Sequence, residues 1–139
     1  MSMKIECEND KIIVYLYNDI LPFDDINLLN KKIKEIFIKI IKIYHLNFFG
    51  YSIVNIYHND YYGCILEIEK IYNSDFNTDI MDLKVIIHKN VDFFLEIDDD
   101  LYVDSSDFTI NNDKYYINLS KINNIYKYIE YGKIVYKNV

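Results

Sequence analysis

Between Asp24 and His45 the apolar positions recur at a helical period. Ile26, Leu29, Ile33, Ile36, Phe37, Ile40, Ile41 and Tyr44 fall on one stripe, with Lys31, Lys32, Lys39 and Lys42 on the far side. This spacing predicts one long amphipathic helix over about 24–45 that buries a single face. Asp24 or Asp25 is placed to cap it, because a carboxylate there accepts from the free backbone amides and meets the positive end of the dipole. Leu28 and Ile38 interrupt the polar side. Each is either an ordinary exposed apolar residue or part of a second contact face.

Elsewhere the period drops to two. Lys4 to Glu8 and Lys11 to Tyr17 read as strands. In the second, Ile13, Tyr15 and Tyr17 alternate with Ile12, Val14 and Leu16, so both faces are apolar. Such a strand belongs in the interior, covered on two sides or on one side plus an interface. Asn18 to Phe23 is a connector with the single proline, Pro22. Tyr51 to Tyr57, the turn His58-Asn59-Asp60 and the return strand Tyr61 to Tyr72 predict a hairpin, with Cys64, Leu66 and Ile68 on one face and Glu67 and Glu69 on the other. Gly63 inside the return strand predicts a bulge or a close backbone approach.

Further strands are predicted at Ile80 to His88, Phe93 to Ile97, Leu101 to Val103, Phe108 to Ile110 and Tyr115 to Leu119. Ser120 is placed to cap a short C-terminal helix over about 121–131, with Ile122, Ile125, Tyr126 and Ile129 on its stripe and Gly132 at its end. Lys133 to Tyr136 adds an edge strand. Connections of two to five residues demand mainly antiparallel pairing. The expected class is α+β, a single domain over 1–139, with the long helix packed on a twisted, mainly antiparallel sheet.

Charge changes this picture. The chain carries 22 acidic and 15 basic residues, a formal net charge of −7, yet the helix holds five lysines against one acid, Glu35. A basic rod on an acidic body is expected. The overall balance disfavours direct nucleic-acid binding and anionic lipid, which need positive charge near the contact. It favours solubility or a basic protein partner. There is no Ala, Arg, Gln or Trp, while Ile, Asn, Asp, Lys and Tyr dominate, the usage of an AT-rich coding genome. Frequent Asn and Tyr are therefore not promoted to sites, and the bidentate clamp of Arg for phosphate or carboxylate is missing.

Candidate chemistry is sparse. Cys7 and Cys64 lie in predicted strands without CxxC spacing and read as reduced, half-buried small hydrophobes. His45, His58 and His88 have no partner at metal-ligand spacing, so no metal is expected. His58-Asn59-Asp60 is better explained by the backbone angles a turn requires than by a hydrolase triad. Ser105, Ser106 and Ser120 lack a nucleophile context. The three glycines are isolated, so no phosphate-cradling loop and no cofactor is expected. No apolar signal region opens the chain and no run is long enough to cross a bilayer, so a cytoplasmic location is expected.

The segment Asp98 to Asp107 stands out. Asp98, Asp99, Asp100, Asp104 and Asp107 surround Tyr102. The calcium-loop pattern fails, because Leu101, Tyr102 and Val103 occupy the ligand and glycine places. Either the loop is simply solvated, or it docks on a basic surface with Tyr102 as anchor. The reading taken forward is a non-catalytic, acidic protein-binding module, a stoichiometric inhibitor or regulator of a basic protein. The alternative is a self-associating adaptor domain of a low-GC bacterium, a homodimer joined through Lys133 to Tyr136 or the Ile38 face. A small-ligand carrier or enzyme, with a pocket of Phe48, Phe49, Tyr51 and Cys64 between helix and sheet, ranks third.

Overall fold

The computed structural model describes residues 2–8, 11–45, 50–71, 81–97, 109–111, 113–128 and 132–137. Within them, the two-residue alternation becomes nine strands in two sheets, and the helical stripe becomes one α-helix. β1 (Ser2–Glu8) and β2 (Lys11–Tyr17) form an antiparallel hairpin. β3 (Gly50–Asn59) and β4 (Gly63–Ile71) form another, and β4 also pairs antiparallel with β2. β5 (Met81–His88) completes a five-stranded sheet of order β1-β2-β4-β3-β5.

β5 departs from the expected meander. β4 ends beside the start of β3, with Ile71 opposite Tyr51, and β5 starts beside that same end, with Met81 opposite Gly50. Starting there, on the free side of β3, it runs parallel to β3. The smaller sheet has the order β7-β8-β6-β9 and is antiparallel throughout. It comprises β6 (Phe94–Ile97), β7 (Thr109–Asn111), β8 (Lys114–Asn118) and β9 (Lys133–Val135).

The helix α1 (Ile26–Tyr44) begins where the carboxylate of Asp25 accepts from the amides of Asn27 and Leu28, at 3.1 Å each. It ends at His45, which is left-handed and donates its N–H to the Ile41 carbonyl at 2.9 Å. Leu29, Ile33, Ile36, Phe37 and Ile40 are buried. The stripe frays at its ends, since Ile26 and Tyr44 are exposed. Burying each aliphatic side chain of this face contributes about 1.5–3 kcal/mol.

The larger sheet is covered twice. Val14, Leu16, Val54, Ile56, Cys64, Leu66 and Ile68 face α1 in one core. Ile13, Ile65 and Tyr62 face the smaller sheet in a second core, against Phe93, Leu95, Ile117, Leu119 and Ile134. The doubly apolar β2 is thus explained: each of its faces belongs to a different core.

Three local expectations shift. The β3–β4 turn lies beyond Asn59 and not around it. Asn59 accepts on its side-chain oxygen from the amides of Tyr61 and Tyr62 and donates to the Val91 carbonyl at 2.8 Å, so it closes the turn and ties it to the next segment. Gly63 is a close approach: at φ 129° a Cβ would collide with the Leu16 carbonyl and lie 2.8 Å from the Asn18 amide. The C-terminal helix is corrected. Within 119–128 the chain forms two 3₁₀ turns, Leu119–Lys121, capped by Asn118 and not by Ser120, and Ile125–Tyr128. Leu119, Ile122, Ile125 and Tyr128 recur every three residues and pack into the second core, whereas Tyr126 is 72% exposed. Ile125 and Tyr128 share a face because side chains of a 3₁₀ turn eclipse at i and i+3, while Leu119 and Ile122 reach the same core from the first turn and its extended C-cap.

Candidate functional site: a cleft between the two sheets

Strand alternation sends Cys64, Leu66 and Ile68 of β4 toward α1, and Ile65, Glu67 and Glu69 the other way. The smaller sheet covers only part of that second face. Beside the covered part a cleft of about 600 Å³ opens, walled by β1, β2 and β4 on one side and by β8, β9 and Tyr136-Lys137 on the other. Its size suits a small ligand or an inserted side chain.

Glu67 lies in its wall and is only 6% exposed. The Tyr136 hydroxyl donates to its Oε1 at 2.6 Å, Lys137 Nζ contacts both oxygens at 3.0 and 3.1 Å, and the Tyr57 hydroxyl donates more weakly at 3.4 Å. Burial alone would raise the Glu67 pKa. The Tyr136 and Lys137 hydrogen bonds, with the charges of Lys137 and Lys11, more than offset it, and the net shift is downward. Burial and the neighbouring Glu67 push the Tyr136 phenol well above its ordinary value. Burial lowers Lys137 but Glu67 raises it further, so its ammonium is held charged.

Across the cleft Glu96 pairs with Lys114 at 2.8 Å and Lys133 at 3.7 Å. The Lys114 hydrogen bond depresses the Glu96 carboxyl, and the same contact raises Lys114. At the rim, Tyr15 donates to Glu6 at 3.1 Å, and Lys4 both pairs with Glu6 at 3.1 Å and sits over the Tyr15 ring. Burial, then Glu6, raises the Tyr15 phenol. Lys11 lies cross-strand between Glu8 and Glu69.

The sequence pattern places Glu67 opposite the apolar face of its strand and assigns it no partner. The structure pairs Glu67 with Lys137, and Glu96 with Lys114 and Lys133. The closer partners of Glu67, Tyr136 and Lys137, lie 69 and 70 residues away in sequence. The only signal in the sequence was a charged residue on a strand whose neighbours are nearly all buried.

The other candidates do not converge. His88 stacks on Tyr57 at 4.5 Å and meets Asn55 Oδ1 at 3.0 Å; His58 lies 3.8 Å from Asp60 and packs edge-on against Phe23; His45 ends the helix. Among the described residues no group of three or more His, Cys, Asp or Glu side chains is arranged to hold a metal. Cys64 is fully buried, and burial, then Asp19, pushes its thiol up to about 12. Cys7 is exposed, not half-buried as expected. The pocket expected between helix and sheet does not form from its described members: Tyr51 pairs with Ile71 and Cys64 with His58, at opposite ends of the β3–β4 hairpin, and Cys64 is sealed in the core; Phe48 and Phe49 lie outside the described residues. So do Asp98, Asp99, Asp100, Tyr102, Asp104 and Asp107, the predicted partner-binding set. Leu28 and Ile38 are exposed among the lysines of α1, with Ile20 beside Leu28. No described helix is long and apolar enough to cross a membrane.

No family model, no characterised protein and no solved structure matches the chain.

Proposed function

We propose that this chain is a non-catalytic binding module that acts by occupying a basic surface of another protein, as a stoichiometric inhibitor or regulator does. The observation that carries the reading is the direction of the shifts in the cleft. Glu67 and Glu96 go down, Tyr15 and Tyr136 go up, and Lys114 and Lys137 go up. A general acid or base needs a pKa drawn toward the working pH. Here these six groups are driven away from neutrality, the tyrosines chiefly by burial and the carboxylates and lysines by their partners. Their contacts hold the walls of the cleft together. The one buried thiol is likewise held protonated.

Binding chemistry fits better. The net charge is −7, although the lysine-rich α1 is basic. The remainder is therefore more acidic than the total, and its field would steer a basic partner toward the faces away from α1. The Asp98 to Asp107 segment is the proposed contact, with Tyr102 as its apolar anchor.

The test uses the intact chain as bait in extracts of its source cells, followed by association kinetics with the purified partner over a salt series. The expected partner is basic and binds at one to one. Changing Asp98, Asp99 and Asp100 together to Asn is expected to slow association about tenfold and flatten its salt dependence. An acidic partner, or kinetics the triple variant leaves unchanged, overturns the proposal.

A further inference from the structure

Among the described residues the larger sheet has two open edges, β1 and β5, and they are finished differently. β1 carries Lys4 and Glu6, but these charges pair with each other and with Tyr15. That edge is blunted by its own side chains. β5 is eight residues long and carries Asp82 and Lys84 on the face away from α1. Both are exposed, and neither pairs with another described residue; their neighbours across β3 are Tyr51 and Ile53. On the opposite face Met81, Leu83 and Val85 are only partly buried against the helix-side core. The smaller sheet draws no residue from β5 into its core, and Ile86 stands exposed. The edges of the smaller sheet, β7 and β9, are three residues each.

An unpaired strand of this length is a template for another strand. The spacing of its charges says which. An antiparallel copy of β5 placed about a two-fold axis at Leu83 sets Asp82 opposite Lys84 of the second copy, twice over. On the helix side the same register sets Leu83 against Leu83, and Met81 against Val85, which covers the flanks the sheet's end leaves open. Moving the axis by one residue sets Lys84 opposite Lys84, or Asp82 opposite Asp82, and like charges directly opposed are destabilising. A one-residue slip of one strand alone would bring core-facing residues against solvent-facing ones. Among the two-fold registers, the Leu83 axis is the one that sets two Asp82–Lys84 pairs face to face.

We propose that the β5 edge is the seat of a two-fold dimer, in which a second copy of this chain pairs across Leu83 and fuses the two five-stranded sheets into one. The axis stands normal to the sheet, so both α1 helices lie on one side and both smaller sheets on the other. The contact is isologous and closes on itself.

Sedimentation velocity over a wide concentration range at low salt tests this. The wild-type chain is expected to pass from monomer to dimer. Lys84→Asp opposes two acidic pairs across the axis and is expected to raise the dimer dissociation constant at least about tenfold. Asp82→Lys does the same independently with basic pairs. The double variant Asp82→Lys/Lys84→Asp restores complementarity and is expected to return within about threefold of wild type. Circular dichroism checks that each variant is folded; both positions are exposed, and each single variant carries the test without the other. A wild-type chain that stays monomeric overturns the proposal. So does a dimer that both single variants leave intact, or a double variant that fails to recover.

Discussion

The two faces of the five-stranded sheet are built on different principles. Under α1 the contacts are aliphatic side chains with Phe37 and Cys64, and the orphan hydroxyl of Ser52 is the polar exception on β3. Under the smaller sheet, tyrosines join the aliphatic side chains. Tyr17 packs against Tyr62 at 5.6 Å, Tyr57 against Tyr136 at 5.0 Å, and Phe93 against both Tyr62 and Tyr136. A buried carboxylate sits beside them. The first face is held by burial, which is strong and non-directional. The second adds to burial a set of hydrogen bonds and ring contacts, which are weaker but fix position. The lesson is a division of labour: the dry face supplies stability, and the wet face sets how the smaller sheet is placed.

The comparison is broken most severely from the dry side. Phe37→Ala is expected to lower stability by about 3–5 kcal/mol in urea denaturation, with no dependence on pH, because it leaves a cavity and alters no charge. On the wet side Glu67→Gln is expected to cost about 2 kcal/mol at neutral pH, the worth of hydrogen bonds to an ionised group. Its folded pKa lies below the ordinary value of 4.5, so its contribution is present above that value and is lost as the pH falls through the folded pKa. The deficit of the variant should shrink over the same acid range. A deficit constant with pH would mean that the ionised carboxylate is not its source.

Tyr136→Phe removes the 2.6 Å bond to Glu67 and is expected to cost about 1 kcal/mol, whereas Tyr57→Phe, with its 3.4 Å contact, should cost less. The smallest change has the opposite sign. Ser52→Ala removes a buried hydroxyl without a partner and is expected to raise stability by about 0.5 kcal/mol. Thermal denaturation resolves the order. If the Tyr136 and Ser52 variants moved in the same direction, the contrast between the faces would fail.

The dry face was legible because its signals are local. The stripe from Leu29 to Ile40 and the Asp25 cap lie within one helix, and the alternation of β2 announces two coats in seven residues. Gly63 was legible for the same reason, as a break inside its own strand. The wet face was not. Glu67 finds Tyr136 and Lys137 only after the smaller sheet has folded over, and no periodicity encodes a contact across 70 residues. The parallel course of β5 depends on which side of β3 it joins, a choice the strand's own pattern does not record. Ile122, Ile125, Tyr126 and Ile129 suggest an α-helical stripe, whereas the chain breaks at the extended Ile122 and it is Leu119, Ile122, Ile125 and Tyr128, from two short turns, that reach the core.

The Glu67–Lys137 contact also has a consequence for vectorial synthesis. The residues of the helix-side core end at Ile87, so that half can form while the ribosome is still at work. The other half waits for Ile134 and Tyr136. In the interval, Ile13, Tyr15 and Ile65 would lie bare on a nascent sheet, a sticky surface for any neighbouring chain. A solvated carboxylate in the middle of that surface is a gatekeeper: it repels intruders until its own lysine arrives to neutralise it.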